Sequence, residues 1–205
     1  MTDISARIQQ EITLDQQLAL HTAATRLAEE FDGIYGIETI ERFLHSSYDQ
    51  FASAASIPNY LPLLAERFAR QRLQALARVE GHHRDGRPVV LFLCTHNAGR
   101  SQMALGFFTH LAGDHAIAWS GGSEPGIDIS EEFPKPWTDE VVHATDVVVT
   151  MGCGDACPVF PGTRYENWDI DDPAGLNVAD VRPIRDEIER RVRRLLNDLH
   201  LPATR

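Results

Sequence analysis

The sequence predicts an α/β fold, a four-stranded parallel sheet flanked by helices, preceded by an all-α three-helix bundle. Three observations predict it. An apolar run, Val89-Val90-Leu91-Phe92-Leu93, ends in a cysteine and a short polar loop, and a helix-compatible stretch, Gln102 to Phe108, follows at once. From Pro88 onward, short apolar runs alternate with segments of helical periodicity, the pattern of a parallel sheet. Residues 1–80 show helical periodicity alone.

Taken in order, Thr13 and Asp15 offer cap chemistry before an alanine- and leucine-rich segment that runs to Phe31 and is broken by Asp32-Gly33. A second segment places Ile37, Ile40, Phe43/Leu44, Tyr48 and Phe51 on one face, and a third, after Pro58, turns Leu61, Leu64, Phe68, Leu73 and Leu76 inward. These helices form the expected first domain, residues 1–80. Gly81 to Pro88 is polar and rich in turn residues, hence a linker over 81–88. The second domain, 89–205, is expected to carry strands at 89–94, 116–120, 146–151 and 165–170. Its helices are expected at 101–112, 137–144 and 180–199. The last of these aligns Ile184, Ile188, Val192, Leu195 and Leu199 on one face, with Arg and Glu opposite.

Charge and composition exclude several classes. The chain has 19 Lys/Arg against 30 Asp/Glu, a formal net charge of −11, which disfavours nucleic acid and anionic membrane as partners. Arg67, Arg70, Arg72 and Arg78 do not alter this, because residues 1–86 carry 8 Lys/Arg against 12 Asp/Glu and the arginines read as an ion-paired face. Met1 to Gln10 has no apolar centre, so a signal peptide is not expected, and no apolar run approaches the ~20 residues of a membrane span. Three cysteines without secretory context suit a reducing cytoplasm and reactive thiols. No metal is expected. His82-His83 lacks ligand spacing, and Cys153-x3-Cys157 with one distant cysteine is poor zinc geometry.

The chemistry concentrates in Cys94-Thr95-His96-Asn97-Ala98-Gly99-Arg100-Ser101. A strand delivers Cys94 to a loop whose backbone N–H groups converge with the positive end of a helix dipole, an oxyanion site. Arg100 adds a planar fork of donors for two oxygens. The same field stabilises a Cys94 thiolate and activates it as a nucleophile, with the Ser101 hydroxyl placed to donate to the sulfur. Asn97 and Gly99 tolerate the backbone angles that wrap a loop around a tetrahedral ion.

Two further motifs fall at the carboxyl edge of the same sheet, where ligands of such folds bind. Met151 to Pro158 carries Cys153 and Cys157 in a short glycine-containing loop, within disulfide reach of each other. Trp168-Asp169-Ile170-Asp171-Asp172-Pro173-Ala174-Gly175 sets acidic side chains on a proline-stiffened loop, and one of them suits a general acid for a departing oxygen.

Cys94-x-x-Asn97-x-x-Arg100-Ser101 resembles the phosphate loop of low-molecular-weight protein tyrosine phosphatases, and Asp172-Pro173 matches their general-acid loop. The string His96 to Ala104, with Glu132-Phe133-Pro134-Lys135-Pro136 and the Met151–Pro158 loop, resembles the thioredoxin-coupled arsenate reductases built on that fold. The likeness covers ~88–199, and the N-terminal helices resemble a three-helix extension of some bacterial members. The resemblance implies that Cys94 attacks arsenate held by residues 95–101 while Asp172 protonates the departing oxygen. Cys153 then attacks Cys94, and Cys157 moves the disulfide to Cys153–Cys157 for a thioredoxin-type reductant, with no cofactor needed.

Two departures accompany the resemblance. Leu105 stands where some members carry a glutamate of a potassium site, so no bound potassium is expected. The family usually carries a helix of ~15 residues between Pro125 and Gly126; either it is lost from the chain or the sequence omits it, and a loss would leave part of the sheet for the helical extension or a second subunit to cover. The reading therefore expects a cytoplasmic arsenate reductase, a homodimer assembled through residues 1–80. A phosphotyrosine phosphatase is the alternative, separated by the Cys153/Cys157 pair. A Cys94-only variant resolved by a small thiol such as mycothiol, and a non-catalytic arsenite or oxyanion sensor, are the other readings. The Asp172-Pro173 loop argues against the sensor, since sensing needs no acid.

Overall fold

In the computed structural model, residues 12–52, 58–82, 85–122, 135–152 and 159–202 are described. Two compact units are distinguished, Met1–Gln74 and Ala75–Arg205.

The first unit is helical. Helix α1, Leu14–Glu30, opens on a capping box in which the Thr13 side chain accepts from the Gln16 N–H and the Gln16 side chain accepts from the Thr13 N–H. The cap expected at Thr13 is thus reciprocal. Helix α2 is Ile37–Ala52, and α3 is Leu61–Val79. Leu20 and Leu27 of α1 are buried, as are Ile40, Leu44, Tyr48, Phe51, Leu61, Phe68 and Leu73 of the inward stripes, whereas Ile37, in the first turn of α2, is 46% exposed. Phe51 meets Phe68 edge-on at 5.4 Å. Ion pairs join α1 to α3. Glu66, 6% exposed, accepts from both Arg26 and Arg70, and Arg70 also donates to Glu30 at 2.6 Å. Of the arginines expected on an ion-paired face, Arg70 pairs with Glu30 and Glu66 and Arg78 with Asp146, whereas Arg72 is buried, donates to Ser46 and Ser47 and lies over the Phe43 and Phe68 rings.

The second unit holds a parallel sheet of order β2-β1-β3-β4, from β1 Val89–Cys94, β2 Ile117–Gly122, β3 Val147–Met151 and β4 Arg164–Asn167. Strand β1 is central and wholly buried, which explains its unbroken apolar run: both faces are covered. Val90, Phe92 and Cys94 face α4 (Arg100–Ala112) and α6 (Val178–Asp198); Val89, Leu91 and Leu93 face α5 (Asp139–His143) and the end of α3 from Ala75 to Val79. Phe92 packs on Phe108 at 5.6 Å and Trp168 at 5.9 Å, so its truncation to alanine would cost about 3–5 kcal/mol.

Helix α6 starts two residues earlier than its periodicity suggests. Asn177 caps it, accepting from the Ala179 and Asp180 N–H groups, so Val178 and Ala179 join the helix although neither is on the buried stripe. Strand β4 is shorter than expected. After Asn167 the chain makes one last ladder bond, Trp168 N–H to Thr150 O at 2.8 Å, and leaves the sheet as the acidic loop. The expected gap at Pro125–Gly126 lies outside the described residues.

Candidate active site

Parallel pairing brings the site together. Cys94 stands opposite Gly122 of β2 and Met151 of β3, so β1 ends level with both neighbours at the carboxyl edge. From that edge the chain from Thr95 to Gly99 passes into α4, whose N-terminal N–H groups face the loop.

Cys94 is buried, with its Sγ 3.0 Å from Ser101 Oγ. Ser101 Oγ accepts from Asn97 Nδ2 at 2.8 Å, which leaves the hydroxyl proton to point at the sulfur. Asn97 is fully buried with φ +51°, the left-handed conformation that its residue type allowed. Its Oδ1 accepts from the Lys135 N–H at 3.1 Å and from Gln102 Nε2 at 3.2 Å. One side chain therefore ties the loop to α4 and to the segment beside β2. Gly99 has φ −140° and ψ −93°, and a Cβ there would meet Pro173 Cγ at 3.1 Å. Thr95 donates to Gly152 O at 2.8 Å, Ala98 is half-buried, and His96 is exposed.

The Arg100 side chain is 10% exposed and reaches across the sheet edge. Its Nη1 donates to Ile170 O at 3.0 Å, and its Nη2 lies 3.5 Å from Asp172 Oδ2. With five N–H donors, the group retains others for an oxyanion. Asp172 Oδ1 accepts from the Ala174 N–H at 3.1 Å, a local turn that fixes the carboxylate beside Arg100. The loop after β1 and the acidic loop thus meet where Arg100 lies against Ile170 O and Asp172 and Gly99 against Pro173, with Cys94 and Ser101 paired within the first of them. Cys153 and Cys157 lie outside the described residues, as do Glu132, Phe133 and Pro134; Gly152 immediately precedes the first of the two thiols.

Three contributors had no structural role assigned from the sequence. Lys135 is 3% exposed, and its carbonyl accepts from Gly122 N–H at 2.9 Å while its N–H holds Asn97. A Cβ on Gly122 would lie 2.8 Å from Thr95 O and 2.9 Å from Asn97 N, so only glycine admits the loop there. The paired glycines closing β2 were the available signal, since glycine at a strand end marks close backbone approach. Gly152, φ +79°, leaves room for Arg100, whose Nη1 would be 2.9 Å from a Cβ. Leu105, the position noted for potassium, is buried in the core. Among the described residues no three His, Cys, Asp or Glu side chains are grouped to hold a metal ion, and no helix is long and apolar enough to cross a membrane.

The fold is the low-molecular-weight phosphatase architecture, with Cys94 at the carboxyl end of β1 beside the loop that opens α4. Comparison with known proteins narrows the class. Residues 20–77 match the family described as protein-tyrosine-phosphatase-like, N-terminal domain. The structure of a Corynebacterium glutamicum thioredoxin-dependent arsenate reductase superposes with a TM-score of 0.78 at 40% identity, covering 90% of this chain and 98% of that one. Arsenate reductase 2 of Staphylococcus epidermidis is 36% identical over 118 residues, 49% of this chain and 89% of the relative. The arsenate reductase of Halalkalibacterium halodurans is 36% identical over 129 residues, 51% of this chain and 92% of the relative. The chain belongs to the arsenate reductase family.

Proposed function

We propose that this protein reduces arsenate to arsenite through a thiol cascade and is returned to its dithiol form by a thioredoxin-type reductant. The observation that carries the reading is the pair of contacts at the carboxyl edge of the sheet, Cys94 Sγ 3.0 Å from the Ser101 hydroxyl and Arg100 3.5 Å from Asp172. Arsenate binds to the loop N–H groups and Arg100. The Cys94 thiolate attacks arsenic, forming an S–As bond as one oxygen, protonated by Asp172, departs as water. Cys153 then attacks Cys94 Sγ. An S–S bond forms and the S–As pair returns to arsenic, so As(V) leaves as As(III) while two thiols are oxidised to a disulfide. Cys157 attacks Cys153, regenerating the Cys94 thiolate and leaving Cys153–Cys157 for the reductant.

The test is arsenate-dependent NADPH oxidation coupled through thioredoxin and thioredoxin reductase, run beside aryl phosphate hydrolysis and beside mycothiol as the only reductant. Thioredoxin-coupled turnover that disappears in Cys94→Ser is expected. Phosphate hydrolysis without arsenate reduction would favour the phosphatase reading. Peptide mapping after one turnover of Cys157→Ser should find Cys94–Cys153, and undiminished coupled turnover without either Cys153 or Cys157 would exclude the cascade.

Residues 1–80 are assigned to assembly of a homodimer, supported by two exposed leucines a helical turn apart on α1, Leu14 at 79% and Leu18 at 65%. Sedimentation of the full chain should give a dimer, and of Leu14→Glu/Leu18→Glu a monomer. A wild-type monomer would refute the assignment.

A further inference from the structure

The acidic loop is gripped by two arginines at consecutive carbonyls, and only one of them belongs to the anion loop. Arg100 Nη1 holds Ile170 O at 3.0 Å, and Arg191, from the middle of α6, holds Asp169 O through Nη2 at 2.8 Å. Between them the Ile170 side chain is buried in the core beside Trp168. The loop backbone is thereby fixed two residues ahead of Asp172, and Asp172 is itself pinned by the Ala174 N–H.

Packing does not account for where the Arg191 guanidinium sits. It borders a polar cavity of about 320 Å³, lined also by Glu166, Trp168, Arg194 and Asp198, so there is room for it elsewhere. What aims it is Glu187, one turn earlier on α6, whose Oε1 accepts from Arg191 Nε at 2.6 Å. The Glu187 carboxyl is held below the usual carboxylate range, first by its hydrogen bond to Arg191, so it is charged and gripping at neutral pH. The chain of contacts runs Glu187, Arg191, Asp169 carbonyl, Ile170, Asp172.

We infer that Arg191, aimed by Glu187, is a positioning residue for the general acid: it fixes the loop from which Asp172 reaches the departing oxygen. Arg191 touches neither arsenate nor Cys94. The inference rests on the reading of Asp172 as the acid, and general acids contribute roughly 10²–10⁴-fold. Loosening the loop forfeits part of that factor, and acts only while Asp172 is present to be positioned.

A double-mutant cycle tests it, with single-turnover arsenite release as the readout. Arg191→Met keeps the stem and removes the donors. In the wild-type background it should slow release about tenfold with arsenate KM within about twofold, because the anion loop is untouched. Arg191→Lys, which keeps a charged donor one atom short of Nη2, should restore part of the rate. In the Asp172→Asn background, Arg191→Met should cost nothing further. An equal loss in both backgrounds would show a general structural role and overturn the inference. A normal rate in Asp172→Asn alone would instead remove Asp172 from the acid role, so failure of that reading is distinguishable from failure of the inference.

Discussion

Replacing Asn97 by alanine should damage the second unit more than any comparably small change at its surface. The alanine variant loses three side-chain contacts: the donor to Ser101 Oγ at 2.8 Å, and the acceptor of the Lys135 N–H and of Gln102 Nε2. The Lys135 N–H is the costly one. Lys135 is 3% exposed, and a buried donor stripped of its acceptor costs about 1–3 kcal/mol. The Ser101 bond adds about 1 kcal/mol, whereas Gln102 keeps the Asn97 carbonyl at 3.1 Å and adds little. Alanine at φ +51° adds about 1 kcal/mol more. Together these give a loss of about 3–5 kcal/mol from a fold whose stability is of order 5–15 kcal/mol. Urea unfolding followed by tryptophan fluorescence reads the right part of the chain, since Trp119, Trp137 and Trp168 all belong to the second unit. Asn97→Gly separates the two causes: it loses the same contacts without the backbone penalty, and should be more stable than Asn97→Ala by about 1 kcal/mol. An alanine variant within about 1 kcal/mol of wild type would refute the assigned role of the side chain. Equal stability of the two variants would refute the backbone part.

Gly122→Ala places a methyl 2.8 Å from Thr95 O, which must shift the loop; arsenate KM should rise about tenfold, and an unchanged KM would show that the loop yields freely. Asp172→Asn should slow the first chemical step by roughly 10²–10⁴-fold, measured as single-turnover arsenite release, whereas Asp171→Asn should not. A larger defect in Asp171→Asn would move the acid by one residue. Burial alone would raise the Glu66 pKa, but hydrogen bonds and charges from Arg26 and Arg70 outweigh it and hold the carboxyl below its usual range. A lowered folded pKa means this contribution is present above the unfolded carboxylate value, ~4.3, and is lost as pH falls through the folded one. Helical-unit stability followed by circular dichroism should therefore drop below about pH 4 in wild type, with a smaller drop in Glu66→Gln; identical acid profiles would count against the network.

What was legible in the sequence was local. The apolar runs of β1 and β3 and the stripes on α2, α3 and α6 report burial through period alone, and each element formed near its expected bounds. The loop between β1 and α4 was legible as strand, turn and helix because its parts are contiguous: Cys94, Asn97, Arg100 and Ser101 lie within eight residues. Lys135 was not, because nothing about a lysine between two prolines says that its backbone will clasp Asn97 from 38 residues away. The pairing of Arg100 with the Ile170 carbonyl spans 70 residues and that of Arg191 with Asp169 spans 22; both depend on which strands become neighbours. Arginine on a polar helix face reads as solvated, and only the structure separates Arg191 from Arg190 and Arg193.

Strand order explains why the three chemical segments are built as they are. In the order β2-β1-β3-β4, the strand beside β1 is β3, and β4 lies one further out. At a strand spacing of about 4.8 Å, the chain leaving β3 begins roughly 5 Å from Cys94, and the chain leaving β4 begins roughly 10 Å away. Cys153 follows two residues after Met151, which stands in register with Cys94, and this short chain distance supports the proposal that Cys153 attacks before Cys157. The acid has the longer route. From Trp168 the loop must cross the end of β3 before Pro173 can rest against Gly99, and a segment of that reach has no ladder to hold it. Its hold comes from carbonyls instead, with Arg191 behind and Arg100 ahead. Arg100 holds the acidic loop at Ile170 O and Asp172, and in the proposed mechanism it also binds the anion. Arg100→Lys tests both at once. A point charge cannot span Ile170 O, Asp172 and an oxyanion, so arsenate KM should rise and the first chemical step should slow together. A rise in KM with an unchanged single-turnover rate would confine Arg100 to anion binding and leave the acidic loop to Arg191 alone.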